Sequence, residues 1–545
     1  MPVSPNQSVA PDADTDDAAG HSAGTLDPPT HPLGILRYVG PGLIVAGSIV
    51  GSGELIATTK AGAEAGFVLL WLIILGCVVK VFVQIEFGRY TLISGETTLK
   101  SLDKVPGPRI KGRGNWLIWY WVLMWFASIS QLGGIVGGVG QALSISMPLT
   151  QQGRDYNLAA DAKQLLAFDT YAIRNQAKGD AGRQGVAAPT AKEFATLQVR
   201  SQTLIENYKT KYGTDTDGKM SPPNDTVIWA CVIAVGTSVL LYVGRYGMIQ
   251  TLSTVLVGSF TLLTVVNLFL LQGEPGWRVD LSEFVDGLRC SLPAAVGDMQ
   301  PIGTALAAFG IIGVGAAELV TYPYWCLEKG YGRFTGKNDG SPEWQARAAG
   351  WMRVMRVDAW GAMVIYTFAT IAFYLLGAAV LNRAELNPEK SELVRTLSVM
   401  FVPVFSDWAA GIFLFGAFAV LYSTFFVANA SHARVFSDAM RVVGVISDDE
   451  TTRQRWIQRL NGFFPILCVV IFVCFQSPAK LVLFSGIMQG VMLPMLAAAA
   501  LYFRYCRGVK ALTPGKLWDL MLWLSAAAML ITGSWTIVDK LGLFS

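Results

Sequence analysis

Eleven apolar runs, each long enough to cross a lipid bilayer, follow one another along the chain between residues 41 and 538. A bilayer core of about 30 Å needs about 20 apolar residues in one helix. We number the predicted helices spans 1 to 11, and they cover residues 41–66, 67–90, 115–146, 226–243, 248–272, 303–327, 357–382, 398–436, 462–478, 480–503 and 517–538. The pattern predicts an all-α polytopic membrane protein, in which the eighth span is long enough to hold a break.

The composition agrees with this prediction. Hydrophobic residues make up 52% of the chain, charged residues 15%, and the mean hydropathy is +0.43, whereas soluble domains hold about 25% charged residues. A net charge of +3 is too small to indicate a nucleic-acid partner. The seven cysteines form no CxxC pair, and no P-loop, HExxH or GxSxG motif has a supporting context, so we expect neither a bound cofactor nor an enzyme.

Basic residues predict the orientation. The loop after span 2 holds five lysines and arginines between Lys100 and Arg113, whereas the opposite side of the membrane has Lys60 alone near the end of span 1. The loops after spans 6, 8 and 10 are similarly basic. Because basic loops stay on the cytoplasmic side, we expect a cytoplasmic N-terminus and an external C-terminus, in the plasma (inner) membrane.

Polar stretches divide the chain further. Residues 1–36 are rich in Asp, Pro, Ala and Thr, which predicts a disordered cytoplasmic tail because such a segment buries too little apolar surface to fold. Spans 1 to 3 occupy 37–148, and spans 4 to 11 occupy 225–545. Between them, residues 149–224 form a polar insert of helix-favouring composition, which we expect to be a small external cap.

Two of the spans are interrupted in the same way. The stretch from Gly47 to Glu54 reads GSIVGSGE, and five spans later the stretch from Gly313 to Glu318 reads GVGAAE. Corresponding breaks in two halves of five spans indicate an inverted repeat with a transport site between the broken helices. The glycines alone could merely allow close helix packing, but this alternative leaves two glutamates at membrane depth unexplained, where a charge is costly unless it is paired or faces water.

Several motifs near the N-terminus resemble the Nramp family of divalent-metal transporters. They are Gly40-Pro41-Gly42, the break at 51–54, AGAEAGF at 61–67, Leu69-Leu70-Trp71, then Gln84, Arg89 and Gly95-Glu96-Thr97. A weaker similarity is found in span 6 and at Leu493-Pro494. The resemblance covers most of residues 37–505 outside the insert and is most specific in spans 1 and 2. It implies a five-plus-five inverted-repeat fold of the amino-acid-transporter type, and uptake of a divalent cation.

The departures from the family pattern concern its metal ligands. The family has Asp-Pro-Gly-Asn where this chain has Gly51-Ser52-Gly53-Glu54, and Met-Pro-His where this chain has Ala317-Glu318-Leu319. At the two positions of span 3 where the family has acidic residues linked to proton movement, this chain has Ser128 and Gln131. Where the family has a glutamine in span 10, this chain has Gly486, and Gln489 lies one helical turn away.

These changes predict a hard, oxygen-lined metal site. Without the soft thioether of methionine, only carboxylate, hydroxyl, amide and carbonyl oxygens remain, and these suit Mg²⁺, Mn²⁺ or Ca²⁺. The candidate ligands are Glu54, Glu318, Gly51, Ser52, Ala317 and Gln489. The pattern is closer to the Nramp-related magnesium transporters than to the iron and manganese carriers, and it favours Mg²⁺ or Mn²⁺ as cargo.

Few side chains are available to move protons. His21 and His31 lie in the tail, and we expect His432 near the inner end of span 8 to be a surface residue. Because membrane proton relays use Asp, Glu or His chains, we expect uptake without proton coupling. Lys80 in span 2 either snorkels to the membrane surface, which we favour, or faces the bundle and neutralises a site glutamate.

The main alternative is a sodium- or proton-coupled symporter of a small organic solute with the same fold, since glycine-rich breaks also bind substrate carboxylates. Glu54 and Glu318 argue against an anionic solute but not against an organic cation. A metal sensor that does not transport is a second alternative, although no large cytoplasmic signalling domain is evident.

Overall fold

The protein is an all-α bundle with eleven helices long and apolar enough to cross a membrane, as the sequence predicts, in the part of the chain that the structure describes. The computed structural model describes residues 24–110, 113–178, 189–215, 218–243, 246–293, 301–389, 392–405 and 408–541. In chain order the spans are Pro41–Ala65, Leu70–Ser94, Trp116–Ser146, Asp225–Val243, Tyr246–Leu271 (apolar over Thr254–Leu271), Pro301–Lys329, Pro342–Asn382, Ala409–Val442, Glu450–Phe475, Pro478–Arg507 and Lys516–Lys540.

Spans 1 and 6 lie at the centre of the bundle and spans 4 and 5 at its edge. The apolar part of span 1 is 94% buried and that of span 6 is 83% buried, against 28% and 33% for spans 4 and 5. Exposed Val239, Leu262 and Phe269 on the edge spans form a surface suited to lipid.

Both central spans are broken into two half-helices. Half-helix 1a is Pro41–Ile49, and half-helix 1b begins with a π-helical stretch at Ser52–Thr58 and continues as Thr59–Ala65. Half-helix 6a is Pro301–Ile311 and half-helix 6b is Ala316–Lys329. Spans 1–5 and 6–10 thus form the predicted five-plus-five inverted repeat of the amino-acid-transporter-like fold.

Short elements connect the spans. Helices Pro32–Tyr38, Thr98–Leu102, Leu281–Asp286, Tyr331–Thr335, Leu393–Ser398 and Val402–Phe405, and single 3-10 turns at Val399–Phe401 and Lys510–Leu512, lie in the loops. Spans 7 and 10 end in π-helical turns, at Gly377–Asn382 and Phe503–Arg507. Strands Arg109–Ile110 and Arg113–Asn115 pair antiparallel before span 3.

The insert contributes two helices, Gln151–Lys178 and Ala191–Tyr212. They pack on each other through Tyr156 and Tyr208, whose ring centroids lie 5.5 Å apart, in a small cluster separate from the main core. Ion pairs from Lys163 to Glu392 and from Arg174 to Glu385 join the first of these helices to the loop after span 7. We call this side of the bundle the insert end.

The tail differs in part from the prediction. Residues 1–23 lie outside the described residues, but 24–36, expected to be disordered, pack against the bundle. The Leu26 carbonyl accepts a hydrogen bond from Trp351 Nε1 at 2.8 Å, and the Leu26 N–H donates to the Phe334 carbonyl at 3.1 Å. A helix at Pro32–Tyr38 follows, so this part of the tail is fixed by contacts between residues far apart in sequence.

The start of span 8 also differs. It was expected at residue 398, whereas the described span begins at Ala409. The preceding apolar residues form the separate helices Leu393–Ser398 and Val402–Phe405. Pro403 lies in the first turn of the second helix, where its missing N–H is tolerated.

Candidate metal site

Gly51 lies at the break of span 1, where only glycine fits. A Cβ atom there would lie 1.8 Å from Thr424 Oγ1 on span 8, and that hydroxyl donates a hydrogen bond to the Gly47 carbonyl at 3.1 Å. The Gly51 carbonyl accepts from the Leu55 N–H at 2.9 Å. An aspartate therefore cannot occupy this position without moving Thr424, and a metal would share the Gly51 carbonyl with Leu55.

Glu54 on half-helix 1b reaches across to the break of span 6. The residue is fully buried, and its Oε1 accepts from the Gly313 N–H at 3.4 Å and from Thr370 Oγ1 of span 7 at 3.1 Å. Its Oε2 has no hydrogen-bond partner among the described residues. A buried carboxylate oxygen without a donor is costly, so this atom is where a cation or a proton would be stabilised.

Glu318 lies on the first turn of half-helix 6b. Its Oε1 accepts from Ser48 Oγ of half-helix 1a at 3.1 Å, so each glutamate contacts the opposite broken span. The two carboxylates are close enough to interact electrostatically. A Cβ atom at Gly315 would lie 2.6 Å from Glu318 Oε2, so glycine at that position leaves room for the carboxylate.

A polar network from spans 3 and 10 closes the side of the site. Gln131 Nε2 donates to Ser52 Oγ at 2.7 Å, and Gln489 Nε2 donates to Gln131 Oε1 at 3.0 Å. Gln489 Oε1 accepts from the Ala317 N–H at 3.0 Å, and Ser485 Oγ donates to Gln131 Oε1 at 2.9 Å. Three of the predicted site residues, Ser52, Ala317 and Gln489, thus have defined partners within one connected set of groups.

Ala317, predicted to bind a metal through its carbonyl, would share that oxygen between the metal and an intrahelical N–H. It lies inside half-helix 6b, where carbonyls accept from the N–H four residues further on, while its own N–H is taken by Gln489. Its contribution is a small side chain beside Glu318. Among the described residues, no three His, Cys, Asp or Glu side chains come together as a metal cage, and the carboxylates at the two breaks are those of Glu54 and Glu318.

The favoured interpretation of Lys80 is wrong, because this side chain does not snorkel. It is fully buried, and its Nζ donates to the carbonyls of Phe309, at 2.7 Å, and Ile312. Both carbonyls lie at the end of half-helix 6a. Lys80 is also close enough to Glu318 and Glu54 to interact electrostatically, as in the alternative interpretation.

Two other predictions are decided by burial and contacts. His432 was expected at the surface but is only 7% exposed, with its ring centroid 6.3 Å from that of Trp125. Glu86 and Arg89 stand three residues apart in the sequence, a spacing that predicts a local helix pair, and Arg89 Nε lies 3.1 Å from Glu86 Oε1. Trp518 Nε1 donates to the same oxygen.

Polar contacts tie down the insert end of span 1. Lys60 Nζ lies 2.9 Å from Glu64 Oε1 and 3.2 Å from Glu389 Oε1, and it donates to Asn387 Oδ1 at 2.6 Å. Thr304 Oγ1 of half-helix 6a donates to Glu64 Oε2 at 2.6 Å. We call these five residues the insert-end lock, because they join both broken spans to the loop after span 7.

The other end of span 1 is held by Asp358 of span 7. Its two carboxylate oxygens accept from the N–H groups of Gly40 and Gly42, at 2.8 and 2.6 Å, and Tyr322 of half-helix 6b donates its hydroxyl to the same side chain at 3.1 Å. With both ends of span 1 tied and Glu54 fully buried, the described structure is closed around the site.

A family model for natural resistance-associated macrophage protein-like (Nramp) proteins matches residues 220–539, which is more than half of the chain. The chain belongs to the Nramp family. The matched region holds the second half of the repeat and lies outside spans 1 and 2, where the motifs first suggested an Nramp protein. No curated protein matches the sequence significantly.

Solved transporter structures share the fold at low sequence identity. A point mutant of the Eremococcus coleocola manganese transporter superposes with a TM-score of 0.55 at 14% identity, with 96% of this chain and 91% of that chain covered. The same transporter in complex with an aromatic bis-isothiourea substituted compound gives 0.52 at 15% identity, with 96% and 92% covered. At such identity these likenesses describe the fold of this Nramp protein.

Sequence reasoning missed several polar residues of the site. Ser48, Thr370 and Thr424 contact Glu318, Glu54 and the span 1 break, respectively. Single hydroxyl residues are common in membrane helices, where they also bond to their own backbone, so they carry little signal by themselves. Gln131 was noted only as a replacement for an acidic residue, although an amide in the middle of an apolar span could have indicated a polar partner.

Proposed function

We propose that this Nramp protein transports a divalent metal cation by alternating access. The observation that carries the proposal is the pair of glutamates on the two helix breaks, where Glu54 is fully buried, Glu318 is half-buried, and Glu54 Oε2 lacks a donor among the described residues. A dication between Glu54 and Glu318 would relieve the repulsion between the carboxylates and satisfy that oxygen. Family membership supports the same activity.

The donor set favours a hard ion. The groups proposed to contact the cation are carboxylate, hydroxyl, amide and carbonyl oxygens of Glu54, Glu318, Ser52, Gln489 and Gly51, and such oxygens prefer Mg²⁺ or Mn²⁺ to softer metals. Magnesium gives up its water reluctantly, and the small side chain of Ala317 leaves room for a bound water. The proposed relationship is therefore to the magnesium-transporting branch.

We infer that transport proceeds without proton coupling. The span 3 positions that correspond to the family's acidic residues hold Ser128 and Gln131, and Gln131 is engaged with Ser52, Ser485 and Gln489. The membrane potential alone would drive uptake, since a dication gains about 4.6 kcal/mol per 100 mV, twice the single-charge value.

The basic-loop pattern supports a cytoplasmic N-terminus in the plasma membrane, which assigns the insert end to the outside, with the insert as an external cap. On this orientation, the insert-end lock controls entry of the cation and Asp358 holds the cytoplasmic end of span 1. Alternating access requires that each set of contacts break in turn.

A symporter of an organic cation is the competing function. The two glutamates would also attract an ammonium or guanidinium group, and the fold serves both kinds of cargo. The complete burial of Glu54 favours a small ion, because a larger group would have to displace the side chains that cover this carboxylate.

The test is cation flux in proteoliposomes. Mg²⁺, Mn²⁺ and Ca²⁺ influx would be followed with internal dyes, alongside a pH dye, for the parent protein, Glu54→Gln and Glu318→Gln. Cys77→Ser serves as the matched control, because Cys77 is a buried neighbour of Glu54 and would matter only if a soft ligand were needed.

Mg²⁺ or Mn²⁺ influx without acidification, lost in both glutamine variants and retained in Cys77→Ser, is the expected result. Loss of Mn²⁺ influx in Cys77→Ser would refute the hard site, and acidification that follows the metal would refute uncoupled transport. If no dication enters, but an organic cation does in a Glu54-dependent manner, the competing function holds.

A further inference from the structure

Lys80 lies at the centre of the bundle, where a charged side chain is expensive. It is fully buried in span 2, its Nζ donates to the Phe309 and Ile312 carbonyls, and it lies 4.9 Å from the centroid of the Phe309 ring. Two carbonyl oxygens and an aromatic face are a set of partners suited to a cation. Lys80 is therefore held in place as an ammonium group.

The position of this ammonium is the end of half-helix 6a. Carbonyls at the C-terminal end of a helix lack intrahelical donors and carry partial negative charge. At a broken membrane helix these groups are where a transported or coupling cation is commonly coordinated. In this chain a cation already attached to span 2 occupies them.

The same ammonium is linked to the site through one peptide group. Lys80 Nζ donates to the Ile312 carbonyl, and the N–H of the same peptide group, that of Gly313, donates to Glu54 Oε1. Glu318 and Glu54 also interact electrostatically with Lys80, although neither forms an ion pair with it among the described contacts. With both glutamates ionised, the three groups carry a net charge of −1 without cargo and +1 with a dication. Without the lysine the corresponding charges would be −2 and zero.

We propose that Lys80 is a tethered monovalent cation that sets the affinity of the site for its divalent cargo. This inference rests on the proposed function. The fixed charge compensates the glutamates when the site is empty and repels the dication when the site is filled, so it weakens binding and speeds release. A transport site must bind firmly enough to load its ion but loosely enough to release it.

A purely structural cap would act differently. If Lys80 only satisfied the carbonyls at the end of half-helix 6a, a neutral replacement would lower stability and leave the affinity for the cation unchanged or weakened. If Lys80 acts through its charge, a neutral replacement strengthens binding and slows turnover together. KM and kcat therefore separate the two roles.

The experiment is steady-state Mg²⁺ and Mn²⁺ influx into proteoliposomes for the parent, Lys80→Met, Lys80→Gln and Lys80→Arg. Lys80→Gln can still donate to the carbonyls without a charge, and Lys80→Arg keeps the charge. Thr91→Val, a buried polar residue further along the same helix, is the matched control for loss of a buried polar group. All variants are assayed at the same neutral pH, where the parent keeps the charge of Lys80.

We expect KM for the dication to fall about tenfold or more in both neutral variants, with a lower kcat, while Lys80→Arg and Thr91→Val keep parental values. Unchanged or raised KM in folded Lys80→Met and Lys80→Gln would overturn the inference while the parent still transports. The inference would also be overturned if neither neutral variant folds whereas Lys80→Arg does, since Lys80 is then a structural cap. Absence of dication influx in the parent would instead refute the proposed function, and this inference with it.

Discussion

Replacement of Lys60 by methionine should open the insert end of the bundle. Lys60 is 5% exposed and contacts Glu64, Asn387 and Glu389 within the insert-end lock. The substitution keeps an unbranched chain that is one atom shorter and removes its charge, which leaves Glu64 buried with only the neutral donors Thr304 and Asn387.

The size of the effect follows from burial. Side-chain exposure is 7% for Lys60 and 5% for Glu64, and removal of one partner from such a buried pair costs about 3–5 kcal/mol. Because the remaining donors still satisfy part of Glu64, we take the lower figure. If Glu64 regains water when the lock opens, about 3 kcal/mol shifts the open-to-closed ratio about a hundredfold.

Native Cys77 reports this opening. It is fully buried and lies beside Glu54, so a membrane-impermeant thiol reagent reaches it only through an open path. Cys231, Cys290, Cys474 and Cys506, which are exposed, would be replaced by serine, and modification would be followed by mass spectrometry. Buried Cys468 is an internal reference away from the lock.

With the reagent on the insert side, Cys77 in Lys60→Met should react up to about a hundred times faster than in the parent, while Cys468 is unaffected. Lys60→Arg, which keeps the charge, should react at a rate close to that of the parent. An unchanged Cys77 rate in folded Lys60→Met would show that the lock does not hold the site closed.

Three further outcomes concern stability. Gly51→Ala should lower the unfolding free energy by about 1–3 kcal/mol, because its Cβ would collide with Thr424, and Thr424→Gly should restore part of the loss in a thermal melt. The Ser447 hydroxyl and further donors hold the pKa of Asp449 well below its usual range, so the parent should melt at a higher temperature than Asp449→Asn. This difference in melting temperature should be full above about pH 4 and shrink as the pH falls through the pKa of Asp449 in the folded protein. Asp358→Asn should destabilise the protein by about 1–3 kcal/mol, because an amide nitrogen would face N–H donors at the start of span 1, whereas an unchanged melting temperature would show that this tether is dispensable.

Features with a local physical cause could be predicted from the sequence. A membrane helix needs a run of apolar residues, which made all eleven spans visible, and a break needs residues that tolerate an interrupted backbone. The repeat of such breaks five spans apart, each followed by a glutamate, was enough to predict the inverted repeat and to place Glu54 and Glu318 at its centre.

Features that depend on contacts between distant segments could not be predicted. Lys80 is 229 residues from its partner Phe309, and a lysine in an apolar span looks the same whether it snorkels or faces the bundle. The packing of residues 24–36 depends on Phe334 and Trp351 in the same way. Apolar runs also do not reveal where one helix stops and another starts, which explains the misplaced start of span 8.

Anomalous X-ray scattering from crystals soaked in Mn²⁺ tests the central claim most directly, because it locates the ion without reference to transport. The account predicts a manganese peak between Glu54 Oε2 and the Glu318 carboxylate, lost in Glu54→Gln and reduced by competing Mg²⁺. A saturating soak that leaves these two glutamates without a peak, or one that places the ion elsewhere in the bundle, would contradict it.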